Sequence, residues 1–281
     1  NILICLLPIF LISGPFLPDL SISIASFFFL YLLVTKKQLK IFNNKFFLNF
    51  LFYFLYLIIV SINSNNIYLS LESSLFYLRF GLFAMLISWL LVNYEKFPII
   101  FFYFLIFSFL FLFFDVLYTI FFKKNILGYV YDGTRHSSFF RDEKILGSYI
   151  SRLYPILVFL ILYNNIKNKN ILISIVTFIS LILVVLSGER TAIFIFFGFS
   201  ILSLIFVKNL KKLFLINMIA SILIFVFILF IYDPIFERFI NTTINGFTPQ
   251  DGQFLIFSNN HQSHYLTSLM IFLDNPLLGV G

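Results

Sequence analysis

Six arginines carry most of the chemistry this chain could do: Arg79, Arg135, Arg141, Arg152, Arg190 and Arg238. A guanidinium stays charged at any ordinary pH and donates two parallel hydrogen bonds, the geometry that suits a carboxylate or a phosphate. Adjacent carboxylates, Asp142 and Glu143, could act as base and acid, or could simply sit in solvent. Three histidines, His136, His261 and His264, have an ordinary pKa near 6.5 and could take a proton from a hydroxyl; each could equally bond a backbone carbonyl. No D-x-D pair and no His/Cys cluster with ligand spacing is present, so neither a catalytic metal nor another cofactor is expected. The lone Cys5 excludes an internal disulfide.

These residues sit in a chain that is 61% apolar and 11% charged, with a mean hydropathy of +1.02. Soluble domains carry about a quarter charged residues. The composition excludes a soluble enzyme, a disordered tail and a coiled coil, and implies an all-α, polytopic helical membrane protein. The net charge of +7 therefore reads as topology and contact with membrane lipids, not as affinity for nucleic acid. Forty-four phenylalanines are read as lipid-facing filler.

Apolar runs long enough to cross about 30 Å of hydrocarbon fall at 2–13, 18–34, 46–62, 74–92, 98–122, 146–163, 171–187, 191–207 and 213–232, which predicts nine helices in a membrane domain of residues 1–232. Residues 233–281 read as the start of a large outer loop, with an amphipathic surface helix over 265–273 ended by Asn275-Pro276. Since the chain begins at Asn1 and stops inside a turn-like motif, it is expected to be a fragment. The loops after spans two, four, six and eight hold Lys36, Lys37, Lys40, Lys45, Lys96, Lys167, Lys169, Lys208, Lys211 and Lys212 and no arginine. The positive-inside tendency makes them cytoplasmic.

All six arginines then fall on the outer side, with Arg79 and Arg152 roughly 8–10 Å below the interface at 1.5 Å of helix rise per residue. Fixed positive charge there suits a large anion such as a lipid-linked diphosphate. Single arginines could instead snorkel or pair with an acid; Asp115, one or two turns below the outer surface, is expected to balance Arg79 or Arg152. Between spans seven and eight lies Ser187-Gly188-Glu189-Arg190-Thr191-Ala192. Gly188 permits the reversal, and Arg190 projects near a helix N-terminus, where an anion is favoured. A Glu189–Arg190 surface pair is the plainer reading of that turn.

The S-G-x-R-T-A turn between two late helices resembles the signature of the O-antigen ligase and polymerase superfamily, from about residue 171 onward. The stretch Phe140-Arg141-Asp142-Glu143-Lys144 to Tyr149, with Arg152 and Pro155, is similar to the outer loop and helix entry of polymerase-like members. His264-Tyr265 followed by Pro276-Leu277-Leu278-Gly279-Val280-Gly281 resembles the family's P-x-x-G-x-G turn, and Gly14-Pro15-Phe16-Leu17-Pro18-Asp19 its start. The resemblance implies a metal-independent glycosyltransferase on the outer face of the bacterial inner membrane. Such an enzyme moves glycan from undecaprenyl diphosphate to a sugar hydroxyl, on a growing glycan or on lipid A-core. It further implies that Arg190 and His264 are catalytic and that Arg135, Arg141, Arg152 and Arg79 hold the diphosphate. Where ligases carry an arginine before the aromatic stretch, this chain has His264, which favours a polymerase-like member. The alternative is a transporter or flippase for lipid-linked oligosaccharide, which would place charges along a transmembrane path; the inner halves of these spans are almost charge-free.

Overall fold

The computed structural model describes residues 2–247, 259–276 and 279. Among them the chain is helical throughout: α1 (Ile2–Cys5), α2 (Leu7–Ile12), α3 (Phe16–Thr35), α4 (Lys45–Ile62), α5 (Ile67–Phe76), α6 (Leu78–Asn93), α7 (Phe97–Phe122), α8 (Leu146–Tyr163), α9 (Lys169–Leu186), α10 (Arg190–Phe206), α11 (Lys211–Ile231), α12 (Asp233–Phe236), α13 (Thr242–Phe247) and α14 (Asn259–Asp274). Seven helical stretches are long and apolar enough to cross a bilayer, α5 and α6 counting as one from Ile67 to Asn93. This is a multi-pass helical membrane protein.

One of the nine expected spans takes another form. Residues 2–13 break into α1 and α2, of four and six residues, with Pro8 in the first turn of α2. Neither can cross hydrocarbon alone. The run at 191–207 forms α10, whose 17 residues reach about 26 Å at 1.5 Å each, the short end of what spans a membrane. The run expected at 74–92 begins earlier, at Ile67, and turns at Tyr77.

The chain divides into two compact units, one of residues 1–4, 15–95 and 246–281, the other of residues 5–14 and 96–245. In the first, α3 and α6 pack side by side: Phe29 meets Trp89 at 5.8 Å between ring centroids, and Ser26 donates to the Arg79 carbonyl at 2.9 Å. Asn44 caps α4 by accepting from the Phe47 N–H at 2.8 Å, one of the donors a helix start leaves unpaired. The apolar run at 265–273 lies in the longer helix α14, whereas Pro249 and Gly252 of the expected loop, and Leu277, Leu278, Val280 and Gly281 of the terminal motif, fall outside the described residues.

In the second unit α8 is the central helix. Its Leu146, Ile150, Leu157 and Ile161 are wholly buried, against α7, α9 and α10. Tyr154 stacks on Phe196 of α10 at 5.1 Å and shares a 2.8 Å hydrogen bond with Thr177 of α9. Buried hydroxyls mostly return to their own helix: Thr177 donates to Ile173 and Ser200 to Phe196, four residues back. This is how a polar side chain is satisfied where no water reaches. The up-and-down order of α7 to α11 gathers Arg135, Arg141, Arg190 and Arg238 at one end of the unit, beyond α7, α9 and α11. Lys96, Lys167, Lys169, Lys208, Lys211 and Lys212 gather at the other.

Candidate functional site: an arginine-lined turn

The site is built on the three residues between α9 and α10. Ser187 donates to the Val184 carbonyl at 2.7 Å and its hydroxyl accepts the Glu189 N–H at 3.3 Å. Gly188 takes φ +64°, and a Cβ there would lie 3.1 Å from Arg135 Cγ. The left-handed backbone favours glycine at this position, and any Cβ would press on the Arg135 side chain. Glu189, in the extended conformation, turns its carboxylate to the start of α8. It accepts from the Gly147 N–H at 2.7 Å, the Ser148 N–H at 3.1 Å and the Ser148 hydroxyl at 2.5 Å. A carboxylate at a positive helix end with three donors is a strong, charge-assisted cap. Glu189 therefore forms no ion pair with Arg190, and the plainer sequence reading of the turn is not the one adopted.

Three guanidinium groups converge on the turn. Arg135 Nε donates to the Ser187 carbonyl at 3.0 Å and its Nη2 to the Lys144 carbonyl at 3.3 Å. Arg238 Nε donates to the Gly188 carbonyl at 3.4 Å. Arg190 opens α10 beside them, close enough for both to act on it electrostatically, and its buried Nε has no hydrogen-bond partner among the described residues. The cations dock on the carbonyl end of α9, where the helix dipole favours them. Burial first, and the Arg238 charge second, push the Arg135 pKa down, against the pull of Glu189 and Asp132. Among the described residues no carboxylate forms an ion pair with any of the three. What the geometry can do is hold an anion.

The loop between α7 and α8 brings Arg135 into place. The Asp132 carboxylate accepts from the Thr134 N–H at 2.9 Å, the Thr134 hydroxyl at 2.8 Å and the Arg135 N–H at 3.2 Å, and pairs with Lys144. Although burial opposes it, these partners hold the Asp132 pKa well below the carboxylate range, Lys144 foremost. A cleft of about 380 Å³ opens beside this loop, lined by Arg135, Arg141 and Lys144 together with Asp132 and Asp142. Arg141 lies over the Tyr129 ring at 4.6 Å, a cation–π contact.

Beneath the loop, the His136 N–H donates to the Leu186 carbonyl at 3.2 Å, tying the loop to the end of α9. Its ring stacks on Tyr131 at 4.3 Å, and its Nε2 lies 3.1 Å from the Tyr232 hydroxyl, which is 3.1 Å from that of Tyr131. Burial, reinforced by the Lys123 charge, pushes the His136 pKa down to about 4, so the imidazole is neutral at pH 7.

Of the residues singled out in the sequence, Arg135 and Arg190 meet at the turn and Arg141 lines the adjoining cleft. Arg152 is exposed on α8. Arg79 belongs to the other unit, where it pairs with Asp19 at 2.9 Å and donates to Ser23 at 3.1 Å. His264 is in that unit too, exposed on α14. Asp115 balances neither Arg79 nor Arg152. Fully buried, it accepts from the Ser138 hydroxyl at 2.5 Å and the Ile126 N–H at 2.9 Å, so it anchors the loop to α7 without a cation. Arg238 joins the cluster with no motif to mark it, and Asp132 and Tyr232 likewise act through contacts far apart in sequence. Among the described residues no group of three or more His, Cys, Asp or Glu is placed to hold a metal. No model of a known family, no curated protein and no solved structure matches this chain.

Proposed function

We propose that the arginine-lined turn holds the diphosphate of a lipid-linked glycan, and that the protein is a metal-independent glycosyltransferase of the bacterial inner membrane, polymerase-like in kind. The observation that carries this reading is the convergence of Arg135, Arg190 and Arg238 on one turn whose acid, Glu189, is engaged by the start of α8. Arg135 and Arg238 repel Arg190, and an anion among the three relieves that repulsion. This reading takes the end of the unit that carries lysines without arginine as cytoplasmic and the arginine end as outer, an orientation that labelling tests. The resemblance of the turn to the O-antigen ligase and polymerase signature names the anion. As the bond from the sugar to the diphosphate breaks, negative charge builds on the leaving group, and fixed guanidinium groups neutralise it without reorganising. The acceptor is a sugar hydroxyl.

Arg190→Lys tests the reading. It keeps the charge but replaces a planar fork with a point contact. In a deletion strain carrying the full-length gene, glycan transfer or elongation should fall about a hundred- to a thousandfold, as when one fixed donor to a developing anion is removed. Protein level in the membrane should stay normal. Arg79→Ala, which breaks the Asp19 pair of the other unit, should lower protein level more than turnover. Near-normal glycan from Arg190→Lys would leave Arg190 as a turn residue.

A further inference from the structure

The other unit holds a feature that the glycosyltransferase reading does not use. Helices α3 and α6 run parallel and end together, at Thr35 and Asn93, where the Lys36–Asn44 segment crosses to α4. A cavity of about 680 Å³ opens there, lined by Lys37, Lys40, Ser88 and Asn93. A second cavity, of about 630 Å³, is lined by Phe28, Phe29, Leu32 and Leu86, with Lys36 among its lining residues. Trp89 lines both. The first is an open groove of mixed polar and apolar lining that carries two ammonium groups, and the second an apolar slot on the helices beside it. Among the described residues none of the three lysines forms an ion pair. Trp89 and Tyr94, 5.5 Å apart, are the aromatic residues that settle at the boundary between headgroups and hydrocarbon.

We propose that the two cavities form one binding site for an anionic phospholipid, its phosphate against Lys37 and Lys40 and an acyl chain along Phe28, Leu32 and Leu86. Charge selects the occupant. A zwitterionic lipid would bring a third cation to a groove already holding two, whereas an anionic headgroup complements them, as in other basic pockets between membrane helices. The apolar slot selects a lipid over a soluble phosphate ester, which could fill the groove alone.

Trp89 is the sole tryptophan of the chain, so its fluorescence reports on this site. The 281-residue chain would be placed in phosphatidylcholine nanodiscs with a small fraction of phosphatidylglycerol brominated on its acyl chains, and compared with the same fraction of brominated phosphatidylcholine. The expected result is at least twofold stronger quenching by the anionic lipid. Unlabelled phosphatidylglycerol should reverse it, while unlabelled phosphatidylcholine and soluble glycerol phosphate should not. The Lys37→Gln, Lys40→Gln double variant should bring quenching down to the phosphatidylcholine level with the Trp89 emission maximum unchanged. Should that variant fail to fold, the competition on the parent chain decides alone. Equal quenching by the two brominated lipids, or no reversal by unlabelled phosphatidylglycerol, reduces the site to ordinary surrounding lipid. Reversal by glycerol phosphate overturns the lipid assignment, and unchanged quenching in a folded double variant overturns the lysines' role.

Discussion

The Gly147 N–H donates to the Glu189 carboxylate over 2.7 Å, and a Cβ on Gly147 would lie 3.1 Å from that of Glu189 and 2.2 Å from the Ser187 hydroxyl. The backbone at the start of α8 therefore lies directly against side chains of the α9–α10 turn, and one carboxylate closes the seam. Its hydrogen bonds go to that helix start, and none of the three guanidinium groups forms an ion pair with it.

Replacing that carboxylate should cost stability. Glu189→Gln keeps the shape but removes the charge from the α8 start, and presents an amide N–H₂ to groups that are themselves donors. A buried group left unsatisfied costs about 1–3 kcal/mol, so the midpoint of thermal unfolding in detergent should drop by several degrees. An unchanged midpoint would mean that Glu189 does not cap α8.

Gly147→Ala adds one methyl where the Ser187 hydroxyl and Ala192 already sit. Overpacking of this kind costs about 1–3 kcal/mol. At Gly198, in the middle of α10, an added Cβ would meet nothing within 4 Å, and Gly198→Ala should stabilise by about 0.5–1 kcal/mol through helix propensity. The same thermal assay should show the two alanines moving the midpoint in opposite directions.

His136 makes stability depend on pH in a defined sense. Its folded pKa of about 4 lies below the ordinary 6.5, so folding favours the neutral ring. That contribution is complete above pH 6.5, declines as pH falls, and is exhausted below pH 4, a difference on the order of 3 kcal/mol. Unfolding midpoints measured from pH 7.5 to 4 should fall across this window in the parent chain. In His136→Gln, which keeps a polar partner for Tyr232, the fall should be shallower. Parallel profiles for the two would assign the acid sensitivity to other groups.

Orientation can be read by chemical labelling. In a Cys5→Ser background, Lys124→Cys at the arginine end of its unit should react with a membrane-impermeant maleimide added to intact spheroplasts, and Lys211→Cys at the opposite end should react only after lysis. The reverse pattern would turn the protein over and place the arginine turn in the cytoplasm.

Most of the helices were legible because an apolar run of seventeen or more residues has few ways to fold except across a bilayer. The exception came where continuity decided: 2–13 breaks at Leu6. At the site, Gly188 and Arg190 announce themselves within one six-residue motif, and Arg135 belongs to a visibly arginine-bearing loop. Partnerships were not legible. Asp115 and Ser138 lie 23 residues apart, Glu189 and Gly147 lie 42 apart, and Arg238 reaches Gly188 across 50. Charge alone suggested that Asp115 would seek an arginine, whereas a hydroxyl and a backbone N–H satisfy it. No periodicity encodes such pairs, because each depends on how whole helices dock.

The brevity of the Ser187–Glu189 link bears on biogenesis. A seventeen-residue helix headed by an arginine partitions weakly on its own, but α9, uncharged from Asn170 to Leu186, partitions strongly and is joined to it by three residues. The pair is therefore expected to leave the insertion machinery as a single hairpin. In the proposed orientation Glu189 and Arg190 would cross side by side at its tip, where opposite charges lower the barrier that either would face alone.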